Sequence, residues 1–317
     1  MNRRTFVKSS AVATAALHIP FAGRSMAFAK KRKFKLCLSP GNLGVSLDQK
    51  GTLEAAIKYG YEAIVASPGE LQQWSDEEIK AFQKKMKKHK ISWGSAGLPV
   101  QFRQDEATFQ EGLGNLAEAA AALQKAGASR MNTWIMPTHP SLPYTANMDQ
   151  HAGRLGECAK VLADYGVHLG LEYVGPKTLM ARDRYPFIHT LGECMNLIEA
   201  TGQDNVGIQL DAFHWYCGED TVEDLLKLDP NRIVTVDLND ARSDLSRDAQ
   251  IDGTRELVGT SGVVDISAFL NALVDIKYTG PVRSEPFNQP LRDMDDDKAM
   301  ELDMQSLQAA LKQSGLK

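Results

Sequence analysis

The chain has 317 residues, an apolar content of 43% and a formal net charge of −4. This is enough chain for one large core, and (β/α)8 barrels commonly form as single units of ~250 residues. The acidic balance argues against a nucleic-acid partner, which selects for a basic face.

Taken in chain order, residues 1–29 stand apart from the rest. Arg3-Arg4-Thr5-Phe6-Val7-Lys8 resembles a twin-arginine export motif, and Ala27-Phe28-Ala29 offers a small-x-small cleavage pattern before Lys30. The apolar stretch between them, Ala11 to Ala22, is broken by His18 and Pro20 and falls short of the ~20 apolar residues that a membrane span needs. The expectation is a signal peptide over 1–29, recognised by the twin-arginine export machinery, leaving residues 30–317 periplasmic or otherwise exported without a stable membrane anchor. A homo-oligomer is compatible with the sequence, which does not specify one.

From residue 34 onward, short β-rich runs alternate with amphipathic helical stretches, the pattern of a parallel sheet wrapped by helices. Strands are predicted at Phe34–Ser39, Tyr61–Ala66, Ile91–Ser95, Arg130–Met136, Val167–Tyr173, Val206–Asp211, Arg232–Asp237 and Pro281–Glu285. Helices are predicted from Thr52 to Tyr59, from the Ser75 N-cap to Lys90, from Glu106 to Ala126 and from Asp149 to Tyr165. Further helices follow at Thr190–Ala200, Val222–Leu228, Ile266–Ile276 and Lys298–Lys312. Eight β-then-α units with no break in composition predict a single-domain α/β fold, a (β/α)8 TIM barrel. A doubly wound sheet is disfavoured, because Pro40-Gly41-Asn42-Leu43-Gly44 after the first strand lacks the Gly-x-Gly-x-x-Gly turn. Cys37, Cys158, Cys194 and Cys217 form no C-x-x-C pair and propose no disulfide pairing.

In such a barrel, polar residues at the C-terminal ends of the strands face the mouth. Four successive strands end in carboxylates: Glu172, Asp211, Asp237 and Glu285. One such acid can simply cap a helix. Four converging on one mouth repel one another unless a cation or bound protons compensate them. Oxygen donors suit a divalent metal ion of the Mn²⁺ or Mg²⁺ type.

These strand ends carry a resemblance. Leu171-Glu172-Tyr173-Val174-Gly175-Pro176-Lys177-Thr178, Leu210-Asp211-Ala212-Phe213-His214-Trp215-Tyr216, Val236-Asp237-Leu238-Asn239-Asp240-Ala241, Arg255-Glu256-Leu257-Val258-Gly259 and Ser284-Glu285-Pro286-Phe287 together resemble the xylose-isomerase-like barrel family of sugar isomerases, epimerases and dehydratases. The resemblance covers nearly the whole mature chain. It implies a divalent ion held by Glu172, Asp211, Asp237 and Glu285, with Glu172 and Glu285 moving protons beside a carbonyl of a small carbohydrate or polyol. It also implies substrate contacts from His214 and Arg255. Lys177 and His139 lie in loops expected to face the same mouth, and the aromatic run at Phe213, Trp215 and Tyr216 offers a platform for a sugar face. The family's usual histidine is replaced here by Asp237, which makes the donor set all-oxygen or moves the duty to Asn239 or Asp240. Isomerase or epimerase is the leading reaction. A lyase or dehydratase acting on a keto-sugar or keto-glycoside shares the same first step, and a non-catalytic carbohydrate-binding barrel is the alternative if the metal has been lost.

Overall fold

A computed structural model describes residues 30–317, so the expected export signal at 1–29 lies outside the described residues. Nine strands form one sheet: β1 (Lys35–Leu38), β2 (Ala63–Ile64), β3 (Ser92–Trp93), β4 (Ala96–Gly97), β5 (Arg130–Ile135), β6 (His168–Tyr173), β7 (Val206–Asp211), β8 (Ile233–Leu238) and β9 (Pro281–Ser284). Their spatial order is β3-β2-β1-β9-β8-β7-β6-β5-β4, and every neighbouring pair is parallel. β3 and β4 are two pieces of one barrel position, the first bonded to β2 and the second to β5, so eight positions close the ring. The third predicted strand is therefore divided and runs on to Gly97. The dividing residue, Gly94, packs so closely that a Cβ there would lie 2.6 Å from Cys37 Sγ and 3.2 Å from the Ile64 carbonyl oxygen.

The helices lie outside the sheet and obey local capping chemistry. Ser75 and Glu78 form a reciprocal capping box at the start of Asp76–His89, satisfying two orphan backbone donors. Asp105 opens Glu106–Ala126, and Gly127 closes it in the left-handed conformation. The helix predicted from Asp149 begins earlier, at Tyr144, behind Pro143, and the closing helix spans Asp296–Gln313. Leu169 and Leu171 on β6, with Ile208 and Leu210 on β7, are fully buried on the outer face of the sheet beneath the helices. Inside the ring, Gly170 and Gly207 leave room for Val234, which sits where the register between β7 and β8 shifts. All four cysteines are buried and free. Among the described residues, no helix is long and apolar enough to cross a membrane.

Candidate active site

The strand ends deliver Glu172, Asp211, Asp237 and Glu285 to one mouth, where one carboxylate oxygen from each lies within 4.8 Å of the others. Register places them there, because Asp237 pairs laterally with both Asp211 and Arg283. Asp211 and Asp237 are 0% exposed, which is tolerable for ionised groups only when they are paired. Asp211 Oδ1 accepts from the backbone N–H of Phe213 at 2.6 Å and of His214 at 3.0 Å, capping the helix Ala212–Cys217. Its Oδ2 accepts from Asn239 Nδ2 at 2.9 Å and from Arg255 Nη1 at 3.0 Å.

Arg255 is the cation at the centre of the mouth. Its Nη1 also reaches Glu285 Oε2 at 3.2 Å, while Nη2 donates to Asp252 Oδ1 at 2.7 Å and Nε to the Asp252 carbonyl at 2.9 Å. The rings of Phe213 and Phe287 stack on the guanidinium at 4.7 and 4.6 Å. Phe287 holds a positive φ of 37°, an uncommon conformation for a bulky side chain, in making that contact. Two carboxyls remain poorly compensated. Burial, then the charges of Glu285, Asp211 and Asp237, raise Glu172 well above the usual carboxylate range. Burial and the charge of Asp237 push Glu285 up to about 8 against the opposing pull of Arg255. Glu172 Oε1 is buried and has no hydrogen-bond partner among the described residues, as expected of an atom that meets a cation or a substrate. The donor set thus fits a divalent ion at Glu172, Asp211 and Glu285. Asp237 lies in the same cluster and is held differently: Arg283 forks onto both its oxygens and Gln209 Nε2 donates to Oδ2 at 2.6 Å, whereas Arg255 reaches Asp211 through Nη1 alone.

His214 is placed on the short helix Ala212–Cys217 rather than in the loop expected from the sequence. Its Nδ1 accepts from the Gly175 N–H at 3.3 Å, and Nε2 lies 3.3 Å from Arg255 Nη2, with Asp252 Oδ1 at 3.7 Å and Glu172 Oε1 at 3.9 Å. Burial lowers its pKa, so the ring is held neutral. Burial tends to raise Asp252, but the neighbouring Arg255 and His214 outweigh it and hold the carboxyl below its ordinary value.

Above the carboxylates lies a cavity of about 350 Å³. Glu172, His214, Asp252, Arg255 and Glu285 form its polar floor, and Trp134, Met136, Val174, Leu179 and Phe287 form its apolar wall. Trp134 is backed by the Arg103 guanidinium, 3.8 Å from the ring centroid. Of the residues expected at the mouth, His139 and Lys177 do not line this cavity. His139 Nδ1 accepts from the backbone N–H groups of Ser141 and Leu142, and Lys177 is paired with Glu219 and Asp248 on the exposed rim. The expected aromatic platform is also displaced, because Phe213 and Trp215 are buried in the core, Trp215 against Phe269. Trp134 supplies that surface instead. Sequence reading missed it because an apolar residue at a strand end looks like core. Asp252, also missed, carries one faint signal, its spacing of three residues before Arg255.

Comparison with known proteins places these features in context. Inosose isomerase of Bacillus velezensis is 23% identical over 256 residues, covering 80% of this chain and 88% of that protein. Inosose isomerase of Halalkalibacterium halodurans is 29% identical over 133 residues, 42% of this chain and 44% of that protein. A xylose isomerase domain protein from Alicyclobacillus acidocaldarius superposes with a TM-score of 0.77 at 28% identity, over 89% of this chain and 99% of that one. The IOLI protein with a binding zinc atom shares the fold at a TM-score of 0.73 and 21% identity, over 88% of this chain and 99% of that one. A family model matches residues 53–310, and the chain belongs to the xylose isomerase-like TIM barrel family.

Proposed function

We propose that the protein is a divalent-metal-dependent sugar isomerase or epimerase that moves a proton on the carbon beside a carbonyl of a carbohydrate or polyol. The observation that carries this reading is the pair Glu172 and Glu285, two glutamates with raised pKa values at the floor of one cavity, one with an unpartnered buried oxygen. Glu172, Asp211 and Glu285 would hold a divalent ion, which when bound would supply Lewis-acid chemistry toward the substrate's carbonyl. Glu172 acts as the base and takes up the proton, and Glu285 returns one, with a carboxyl near neutrality suited to either direction. Arg255 orders Asp211, Glu285 and His214 around the substrate, and Asp252 holds Arg255 in place. Trp134 and Phe287 cover the apolar face of the sugar. The all-oxygen donor set favours Mn²⁺ or Mg²⁺. The relatives named as inosose isomerases, and a solved D-psicose 3-epimerase with a TM-score of 0.61 and 18% identity, support the reaction class and the fold respectively.

The extended apolar wall favours a second reading, elimination from a keto-glycoside whose aglycone lies along Trp134, Met136 and Leu179. Export by the twin-arginine route, motivated by Arg3-Arg4-Thr5-Phe6, makes an unphosphorylated substrate the expected one. A panel of keto-sugars and keto-glycosides assayed for C–H exchange in deuterated water, with product identification, tests both. Exchange with retained carbon framework supports the isomerase, exchange with loss of a leaving group supports the lyase, and no exchange with any compound rejects both.

A further inference from the structure

Asp237 is the one of the four clustered acids that a guanidinium grips with two nitrogens. Asp237 and Arg283 are lateral partners on β8 and β9. Arg283 Nε donates to Asp237 Oδ1 and Nη2 donates to Oδ2 at 3.1 Å, a two-pronged pair. Gln209 Nε2 adds a bond of 2.6 Å to Oδ2, and Gln209 is itself oriented by Asn132 Nδ2 at 2.7 Å from its Oε1. The remaining Arg283 nitrogen, Nη1, donates to Ser95 Oγ at 3.2 Å. Five barrel positions therefore contribute to one buried polar network below the mouth. By contrast, Glu172 Oε1 has no partner among the described residues, Glu285 accepts from Arg255 Nη1 alone, and Asp211, although its oxygens accept four bonds, meets a guanidinium through that same single nitrogen rather than a fork.

A fork-to-fork guanidinium pair is directional, and it neutralises the carboxylate that it binds. We infer that Asp237 is withheld from metal ligation, and that Arg283 is a positioning residue that sets the site's divalent-ion affinity by withholding it. This rests on the metal-dependent reading of the site. The ligating carboxylates are then Glu172, Asp211 and Glu285, and the Asp237–Arg283 pair contributes no net charge beneath them. Removing the arginine alone frees a carboxylate one strand from Asp211, and removing the aspartate alone leaves a buried cation facing the metal. Removing both returns the floor to neutrality.

The test is Mn²⁺ titration of the mature chain, stripped with chelator, by isothermal calorimetry, with bound metal counted by mass spectrometry. Wild type is expected to bind one ion. Arg283→Met should bind it about tenfold tighter and Asp237→Asn about tenfold more weakly, the direction that the local charge dictates. The deciding protein is the double variant Asp237→Asn/Arg283→Met, expected within about threefold of wild type because a neutral pair replaces a neutral pair. A double variant as weak as Asp237→Asn alone would show that Asp237 is a ligand and overturn the inference while leaving the metal reading intact. Wild type without a stoichiometric ion would overturn the metal reading and the inference with it. If Arg283→Met does not fold, judged by circular dichroism, Arg283→Lys keeps the charge without the fork and should bind Mn²⁺ more tightly than wild type. Unchanged affinity there counts against the inference.

Discussion

Arg255 Nη1 donates to Asp211 Oδ2 across 3.0 Å inside the barrel mouth, and one guanidinium thereby holds one of the four clustered acids in place. The same group spans Glu285 and Asp252 and lies between two aromatic rings. A lysine cannot reproduce this fork or stack. Arg255→Lys should lower kcat/KM by about 10²-fold, comparable to loss of one preorganised donor, while the protein stays folded. Steady-state kinetics beside circular dichroism checks this, and activity within a factor of two of wild type would remove Arg255 from the site.

Glu172→Gln and Glu285→Gln should each abolish measurable proton exchange on the substrate, a loss of about 10²-fold to 10⁴-fold. Exchange into deuterated water, followed by NMR, reads this without requiring net turnover. In the chelated protein the same substitutions should raise Tm, because each removes an acid that its neighbours repel.

The pH dependence of stability follows from the same shifts. Glu285 keeps its proton up to about 8 in the folded chain, against an ordinary value of 4.5. Between those values the folded state binds more protons than the unfolded state, so stability falls as pH rises. Below about 6.5 the buried rings of His151 and His214, held neutral in the fold, oppose this trend, so the metal-free protein should lose stability from pH 6.5 to 8, by at most about 1.4 kcal/mol per pH unit for each raised carboxyl. Thermal melts across that window with chelator should show this slope, and saturating Mn²⁺ should flatten it, since the ion takes the place of the protons. A metal-free profile rising across the window contradicts the assignment.

Gly175 permits the contact that orients His214. A Cβ there would stand 2.6 Å from the His214 carbonyl oxygen and 2.9 Å from the Gly218 nitrogen, both backbone atoms with little freedom to give way. Gly175→Ala should destabilise the protein by about 1–3 kcal/mol through overpacking. It should also lower kcat, because the Gly175 N–H to His214 bond is displaced. Urea denaturation and kinetics on the same variant measure the two effects.

Trp134 lines the cavity and is 42% exposed. Trp134→Ala should raise KM by about tenfold, through loss of ring contact, with kcat nearly retained. A kcat effect with unchanged KM would place Trp134 outside the substrate's contact surface.

Much of this was legible in the chain itself. Alternating β and α segments, the caps at Ser75 and Gly127, and apolar strands ending in acids are local features, determined by residues a few positions apart. They sufficed for the barrel and for bringing Glu172, Asp211 and Glu285 to one end of it. The short helix carrying His214 was not legible, because Asp211 caps it with the same carboxylate that faces the mouth. Nor was the failure of His139 and Lys177 to reach the cavity, since a loop's path is decided by its own contacts, here Ser141 and Leu142 in one case and Glu219 and Asp248 in the other.

What the sequence alone determined is the set of chemical groups at the strand ends, because strand periodicity and the polarity of a parallel barrel place them without reference to distant residues. Which acid stays open to a cation and which is already paired was decided only by tertiary structure. Asp237 and Arg283 are 46 residues apart and become neighbours when β8 and β9 align in register. That alignment is a property of the closed ring, and it gives one of four similar carboxylates a two-pronged guanidinium partner.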